Sequence, residues 1–244
     1  MIITVNADDF GKNDSVNEAI CLAFEKGLIN RTTLMTNMPA AEAAMVLASQ
    51  KGFTDRVGIH VNLTSGKPLT EAIAKDPLMC SADGAFTGDF ARSLKTRFFL
   101  PQKTRINVER ELRAQFEKYK ELGGVLWHID SHHHVHTDPS IWFIQKRVMK
   151  DYPVTSVRLG RNMYVGGNPL MHLYKLLLNS SIRRFCKEDA KYFGSAADYE
   201  SFDPAKKHLQ SNAGVEIMVH PVFDKDGQLA DAFEGSNRQL KCFI

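Results

Sequence analysis

Val125-Leu126-Trp127-His128-Ile129-Asp130-Ser131-His132-His133-His134-Val135-His136-Thr137-Asp138-Pro139 holds five of the chain's nine histidines between 128 and 136. Val125 to Trp127 reads as the apolar entry of a buried strand. Asp138 followed by Pro139 reads as an N-cap residue with proline at the first helical position. The histidines therefore fall where a strand ends and a helix begins, which is where α/β folds place chemistry. Neutral imidazole is the commonest protein metal ligand, so the cluster points to a metal site; the alternative is a polar loop of solvated histidines. The run is internal and broken by Asp130, Ser131 and Val135, which argues against an expression tag. Neighbouring side chains on an extended chain point to opposite faces, so the stretch should supply one or two ligands rather than five.

The same pattern recurs outward from this stretch. Ile2 to Ala7 is short and β-branched, and reads as a buried first strand ending in Asp8-Asp9. Two adjacent carboxylates there are costly unless a cation or a shared proton compensates them. Thr32–Thr36 reads as a second strand, and Val57–Leu63 as a third that carries His60. Thr155–Leu159 carries Arg158, with Arg161 just beyond. Val215–Val219 is followed directly by His220-Pro221, and a short strand fits Tyr192-Phe193. Ser15 and Glu18 have capping-box spacing, with Val16, Ile20 and Phe24 on one helical face. Helices are expected over Ala40–Ser49, Asn107–Leu122, Asp138–Lys150 and Pro169–Phe185. Strands and helices alternate, which argues for a largely parallel α/β domain. Five strands ending in out-of-place polar residues favour a TIM-barrel-like parallel barrel, complete or incomplete, because barrel strand ends converge on one face. A doubly wound sheet would bring together only those at its switch point.

The chain has 244 residues, enough for one α/β domain with a full core. Its 43% hydrophobic and 24% charged content is ordinary for globular proteins. A net charge of +3, with Lys and Arg scattered, gives no argument for nucleic acid. Met1–Val5 lacks the features of a signal peptide, and no apolar run reaches bilayer-spanning length. Cys21, Cys80, Cys186 and Cys242 form no CxxC pair and read as reduced structural thiols of a cytoplasmic protein. Gly66–Lys103 is broken by Pro68, Asp76-Pro77, Asp83-Gly84 and Gly88, and reads as an irregular insertion near the mouth of the site or as a surface loop.

Asn6–Gly11, Gly58–Thr64, His128–His136 and Glu216–Pro221 together resemble the YdjC-like family of carbohydrate deacetylases, the ChbG (chitooligosaccharide deacetylase) type. The order and spacing match from residue 2 to about 223. Beyond Asp231 a further helix and strand are expected, and the chain ends at Ile244; an incomplete, seven-stranded barrel fits that length. The resemblance implies a metal-dependent enzyme removing an N-acetyl group from a small amino-sugar saccharide, with Mg²⁺ as cofactor and a homodimer as assembly. Carried over by motif, His60, His132 and Asp9 are the implied metal ligands. Asp8 is the implied general base and His220 the general acid.

Such a set suits amide hydrolysis: one carboxylate and two imidazoles leave open positions on a cation, a second carboxylate accepts a proton, and a distal imidazole returns one. Two imidazoles suit Zn²⁺ or another transition metal better than Mg²⁺. Arg158 is a candidate substrate contact, as is Arg161 unless it forms a surface ion pair. Asp130 either orients a ligand histidine from behind or caps the turn. His134 and His136 shape the pocket, and His128 is structural. His172 and His208 read as surface or packing residues, and Trp127 and Trp142 as core. A metal hydrolase of a phosphoester or cyclic amide, and a non-catalytic sugar or metal sensor, are the competing readings.

Overall fold

The computed structural model describes residues 2–163, 168–186, 190–202, 214–233 and 236–244. The strands Ile2–Phe10 (β1), Arg31–Leu34 (β2), Val57–Val61 (β3), His128–Ser131 (β4), Ser156–Val157 (β5), Ala190–Ser195 (β6) and Gly214–Val219 (β7) lie parallel in one curled sheet. Their order across the sheet is β5-β4-β3-β2-β1-β7-β6. This is the circular order of a barrel opened between β5 and β6, with β7 returning to β1. The expected TIM-barrel-like arrangement, incomplete and seven-stranded, is thus the fold. The opening is bridged without a regular ladder: the backbone N–H groups of Asn162 and Met163 donate to Phe193 O at 3.0 and 3.2 Å. Phe193 N–H donates to Asn162 Oδ1 at 2.8 Å.

The sheet face turned toward the helices is apolar and includes Val5, Ala7, Ile59, Val61, Ile129, Val157 and Ile217, all buried. Alternate residues face into the curl, as strand pleating requires, and these are polar: Asn6, Asp8, Thr33, His60, His128, Asp130, Arg158 and Glu216, again all buried. The outer layer is built by helices Asp14–Glu25 (α1), Ala41–Gln50 (α2), Glu71–Ala74 (α3), Leu94–Phe98 (α4), Gln102–Glu121 (α5), Pro139–Val148 (α6), Pro169–Phe185 (α7) and Ala196–Phe202 (α8). No helix among the described residues is long and apolar enough to cross a membrane.

Several boundaries differ from the sequence reading for local reasons. The cap of α1 is Asn13, whose side chain accepts from Val16 N–H at 2.9 Å, rather than Ser15. Asp138 stands at the N-cap position of α6, but its side chain is taken by Arg97 at 2.6 Å and caps nothing. Val125 is exposed and the strand begins only at His128, because Gly123-Gly124 and the Tyr119 hydroxyl bonded to Leu126 O hold the preceding residues in a loop. In place of a further helix and strand, the chain after β7 forms an antiparallel sheet of Pro221–Phe223 (β8), Leu229–Phe233 (β9) and Ser236–Gln239 (β10). Gly66–Lys103 is a packed segment: Ile73, Met79, Phe86, Phe90 and Leu100 are buried in the core. Cys21, Cys80 and Cys186 are buried, but Cys242 is exposed rather than structural. His208 lies outside the described residues, as do 187–189 and 203–209 of the segment around it.

Candidate metal centre

β1 and β2 lose register between Ala7 and Phe10, so β1 carries an extra residue there. Such a bulge re-aims side chains. Asp9 adopts φ 71°, the left-handed region that Asp tolerates better than most residues. Together these let two neighbouring carboxylates, which a regular strand would send to opposite faces, line one cavity. His60 stands next to last in β3, and His132 follows β4 directly. The turn at His133 and His134, with φ 52° and 56°, aims the histidine stretch back over the strand ends.

Asp9 Oδ1 lies 2.9 Å from His132 Nδ1 and 3.3 Å from His60 Nε2. The three donor atoms are within 4.8 Å of one another. A tetrahedral site with bonds near 2 Å has edges of roughly 3.3 Å. Asp9 Oδ1 and His60 Nε2 are buried without a hydrogen-bond partner, a costly condition that a cation between these donors would relieve. The residues therefore fit a divalent ion. Two other clusters, Asp8-His60-Asp130 and His128-Asp130-Glu216, bring ligand-type atoms equally close. Guanidinium groups already pair with the carboxylates of both, through Arg158 and Arg31.

His60 Nδ1 is 2.7 Å from Asp130 Oδ1. A carboxylate only accepts, so His60 carries a proton on Nδ1; in the neutral ring Nε2 is then the free donor atom. Thr33 Oγ1 donates to the other oxygen of Asp130 at 2.9 Å. Of the two roles read for Asp130, orientation of the histidine is therefore the one observed. Without an ion, burial lowers the His60 pKa, but Asp130, with Asp9 and Asp8, outweighs it and raises the group to about 10. Burial raises the Asp9 carboxyl, yet His132 and His60 hold it well below the usual range. Burial pushes His133 down to about 4; burial with Arg158 pushes His136 to about 3 and His134 well below its ordinary value. Those three rings are neutral at neutral pH.

Asp8 binds Arg158 through both oxygens, at 2.7 Å each, and accepts from Asn6 Nδ2 at 2.8 Å. Burial is outweighed by Arg158, so Asp8 stays ionised well below the carboxylate range. His220 Nε2 stands 4.0 Å from Asp8 Oδ2. Both line a cavity of about 480 Å³ with Asp9, His60, His132 and His134. All six of these sequence-read residues meet there. Arg158 does not. It is 0% exposed, and its Nε and other nitrogens are spent on Glu216 at 2.6 Å, Asp8, and Asp130 at 2.8 Å. The assignment of Arg158 as a substrate contact is corrected: it is the buried hub joining the base candidate to the carboxylate behind His60. Arg161 pairs with Asp198 at 2.8 Å. His136 is buried behind the cavity against Ser131 and Arg158 O. The insertion lines a neighbouring hollow through Ala91 and Arg97 rather than the mouth of this cavity.

Residues 2–242 match the family described as YdjC-like protein. The chain belongs to the YdjC-like family. A carbohydrate deacetylase of Brevibacillus brevis is 32% identical over the whole chain and 90% of its own length. One from Vibrio cholerae is 36% identical over 91% of this chain and 79% of its own. A solved structure from Enterococcus faecalis V583, proposed as a cellobiose-phosphate cleavage protein, superposes with TM-score 0.66 at 22% identity, covering 92% of this chain and 82% of that one. At that identity it speaks for the fold alone.

The structure adds site residues to this YdjC-like chain that sequence reasoning missed. Lys12 Nζ lies 2.9 Å from Asp9 Oδ2; nothing in the pattern marked it. Asp231 Oδ1 accepts the His220 backbone N–H at 2.7 Å, and Phe233 stacks on the His220 ring at 6.2 Å and 22°. Both sit on β9, in the tail whose structure was misread. Glu216 did carry a signal, a charge in the middle of an apolar strand.

Proposed function

We propose that this chain is a carbohydrate deacetylase that hydrolyses the N-acetyl group of a small amino-sugar saccharide, a chitooligosaccharide or a relative of one, with a divalent ion held by Asp9, His60 and His132. The observation that carries this reading is the placement of a separate carboxylate, Asp8, and a separate imidazole, His220, in the same cavity as the ligand triad. A metal-storing or sensing protein needs the triad but not this additional pair.

When bound, the ion supplies Lewis acidity toward the amide oxygen and toward the attacking water. Asp8, kept ionised by Arg158, receives the water's proton; its low basicity makes it a base only for an acidified water. His220, held by Asp231 through its backbone and by Phe233 through its ring, gives a proton to the departing sugar amine. His134 is a neutral wall for the sugar. Two nitrogens and one oxygen favour Zn²⁺ or another transition ion over Mg²⁺. Asp8 is engaged by Arg158 and does not enrich the oxygen donors that Mg²⁺ prefers.

An acetate-release screen over N-acetylglucosamine and its oligomers, alongside phosphoester and cyclic-amide substrates, tests the reaction. Acetate release that stops on chelation and returns with divalent ion is the expected outcome. Turnover of only the other bond classes would overturn the deacetylase reading. Asp8→Asn and His220→Ala should each lower kcat by about 10²–10⁴-fold with metal content unchanged.

A further inference from the structure

The two oxygens of Asp9 are treated differently. Oδ1 faces the two imidazoles, whereas Oδ2 is held 2.9 Å from the ammonium of Lys12. We propose that Lys12 is a positioning residue that restricts Asp9 to one-oxygen coordination, an inference that rests on the metal-centre reading above. A carboxylate can bind a cation through one oxygen or two. Two-oxygen binding would consume a position that a hydrolytic site must keep open for substrate and water. An ammonium on Oδ2 prevents this, and its positive charge weakens the carboxylate as a donor.

The backbone fixes Lys12 for this task. Its N–H donates to Asp9 O at 3.1 Å, closing a tight turn over the bulge. Gly11 lies in that turn at φ 88°, where a Cβ would meet Leu34, Ala41 and Met35 at 3.0–3.2 Å. The Asn17 side chain accepts from Gly11 N–H at 2.7 Å and donates to Ala40 O at 3.1 Å, clamping the turn to the start of α2. On the other side Asn13 caps α1. Lys12 thus leaves a rigid turn, lines the cavity and places its charge on one oxygen of Asp9.

The test uses metal-stripped full-length protein, wild type, Lys12→Met and Lys12→Arg, titrated with Co²⁺ and read by visible absorption. Lys12→Met keeps the stem and removes the charge. Its ion-free form should melt as wild type does, bind Co²⁺ about tenfold more tightly because a neighbouring cation is gone, and absorb more weakly because coordination number has risen. In deacetylation its kcat should fall with KM little changed, and Lys12→Arg should restore the wild-type spectrum. A Lys12→Met spectrum and affinity identical to those of wild type would overturn the role of Lys12. Wild type taking up no Co²⁺ would instead overturn the metal-centre reading on which it rests.

Discussion

His60 shows how one side chain of the candidate metal centre is tied to the interior. Its Nδ1 proton is committed to Asp130, and its Nε2 faces Asp9. In the ion-free protein its pKa stands at about 10, above the ordinary 6.5. A raised folded-state pKa stabilises fully below 6.5, and that contribution is lost as pH rises toward 10. Chemical denaturation of stripped protein should therefore show stability declining across pH 6.5 to 10. An ion binding at Nε2 must displace the proton that the imidazolium carries there, so its affinity should rise about tenfold per pH unit over the same window. Chelator competition at several pH values measures this, and a flat profile would contradict it. Arg158 sets the second residue-scale expectation. Arg158→Lys cannot satisfy Asp8, Asp130 and Glu216 together, and should cost about 3–5 kcal/mol, read as a shift in the denaturant midpoint at constant slope. The convergence of Asp8, His60 and His220 on one cavity was legible because polar residues at strand ends stand out against apolar runs. Arg158 was read as a substrate contact from the same pattern. Its real partners, Asp8 and Glu216, lie 150 and 58 residues away, and no local pattern reveals them.

At the scale of elements, the site depends on how closely β3 approaches β4. A Cβ on Gly58 would sit 2.7 Å from His128 O, so the glycine permits the ladder that aligns His60 with Asp130. Gly58→Ala should destabilise by about 1–3 kcal/mol and weaken ion binding, because it displaces both partners of the orienting bond; thermal melts and Co²⁺ titration of the same variant check the two effects. Element existence was readable from period and punctuation: α7 matches its expected range, and β7 differs by one residue. What was not readable involved tertiary competition. Arg97 takes the Asp138 carboxylate away from its capping position, and the insertion holds its shape through buried side chains rather than through periodicity.

The whole molecule is a curled sheet with an apolar outside and a charged inside. Glu216 illustrates the consequence for acid stability: burial opposes its ionisation, but Arg31 and Arg158 bring its pKa down to about 2. A depressed carboxylate stabilises above its ordinary 4.5 and loses that contribution as pH falls toward 2. Stability should therefore fall steeply between pH 4.5 and 2, as followed by circular dichroism. The choice of a barrel over a doubly wound sheet was readable because five separate strand ends carried polar residues. The opening between β5 and β6 was not, since the two-residue β5 and the backbone bonds to Phe193 leave no trace in hydropathy. Asp9, His60 and His132 are proposed to hold one divalent ion. Elemental analysis of purified wild type and of the His60→Ala, His132→Ala and Asp9→Ala variants, each confirmed folded, tests it directly. About one ion per chain is expected in wild type, with marked loss in each variant. Full metal content retained in all three, or none in wild type after incubation with Zn²⁺, Co²⁺ or Mg²⁺, would contradict it.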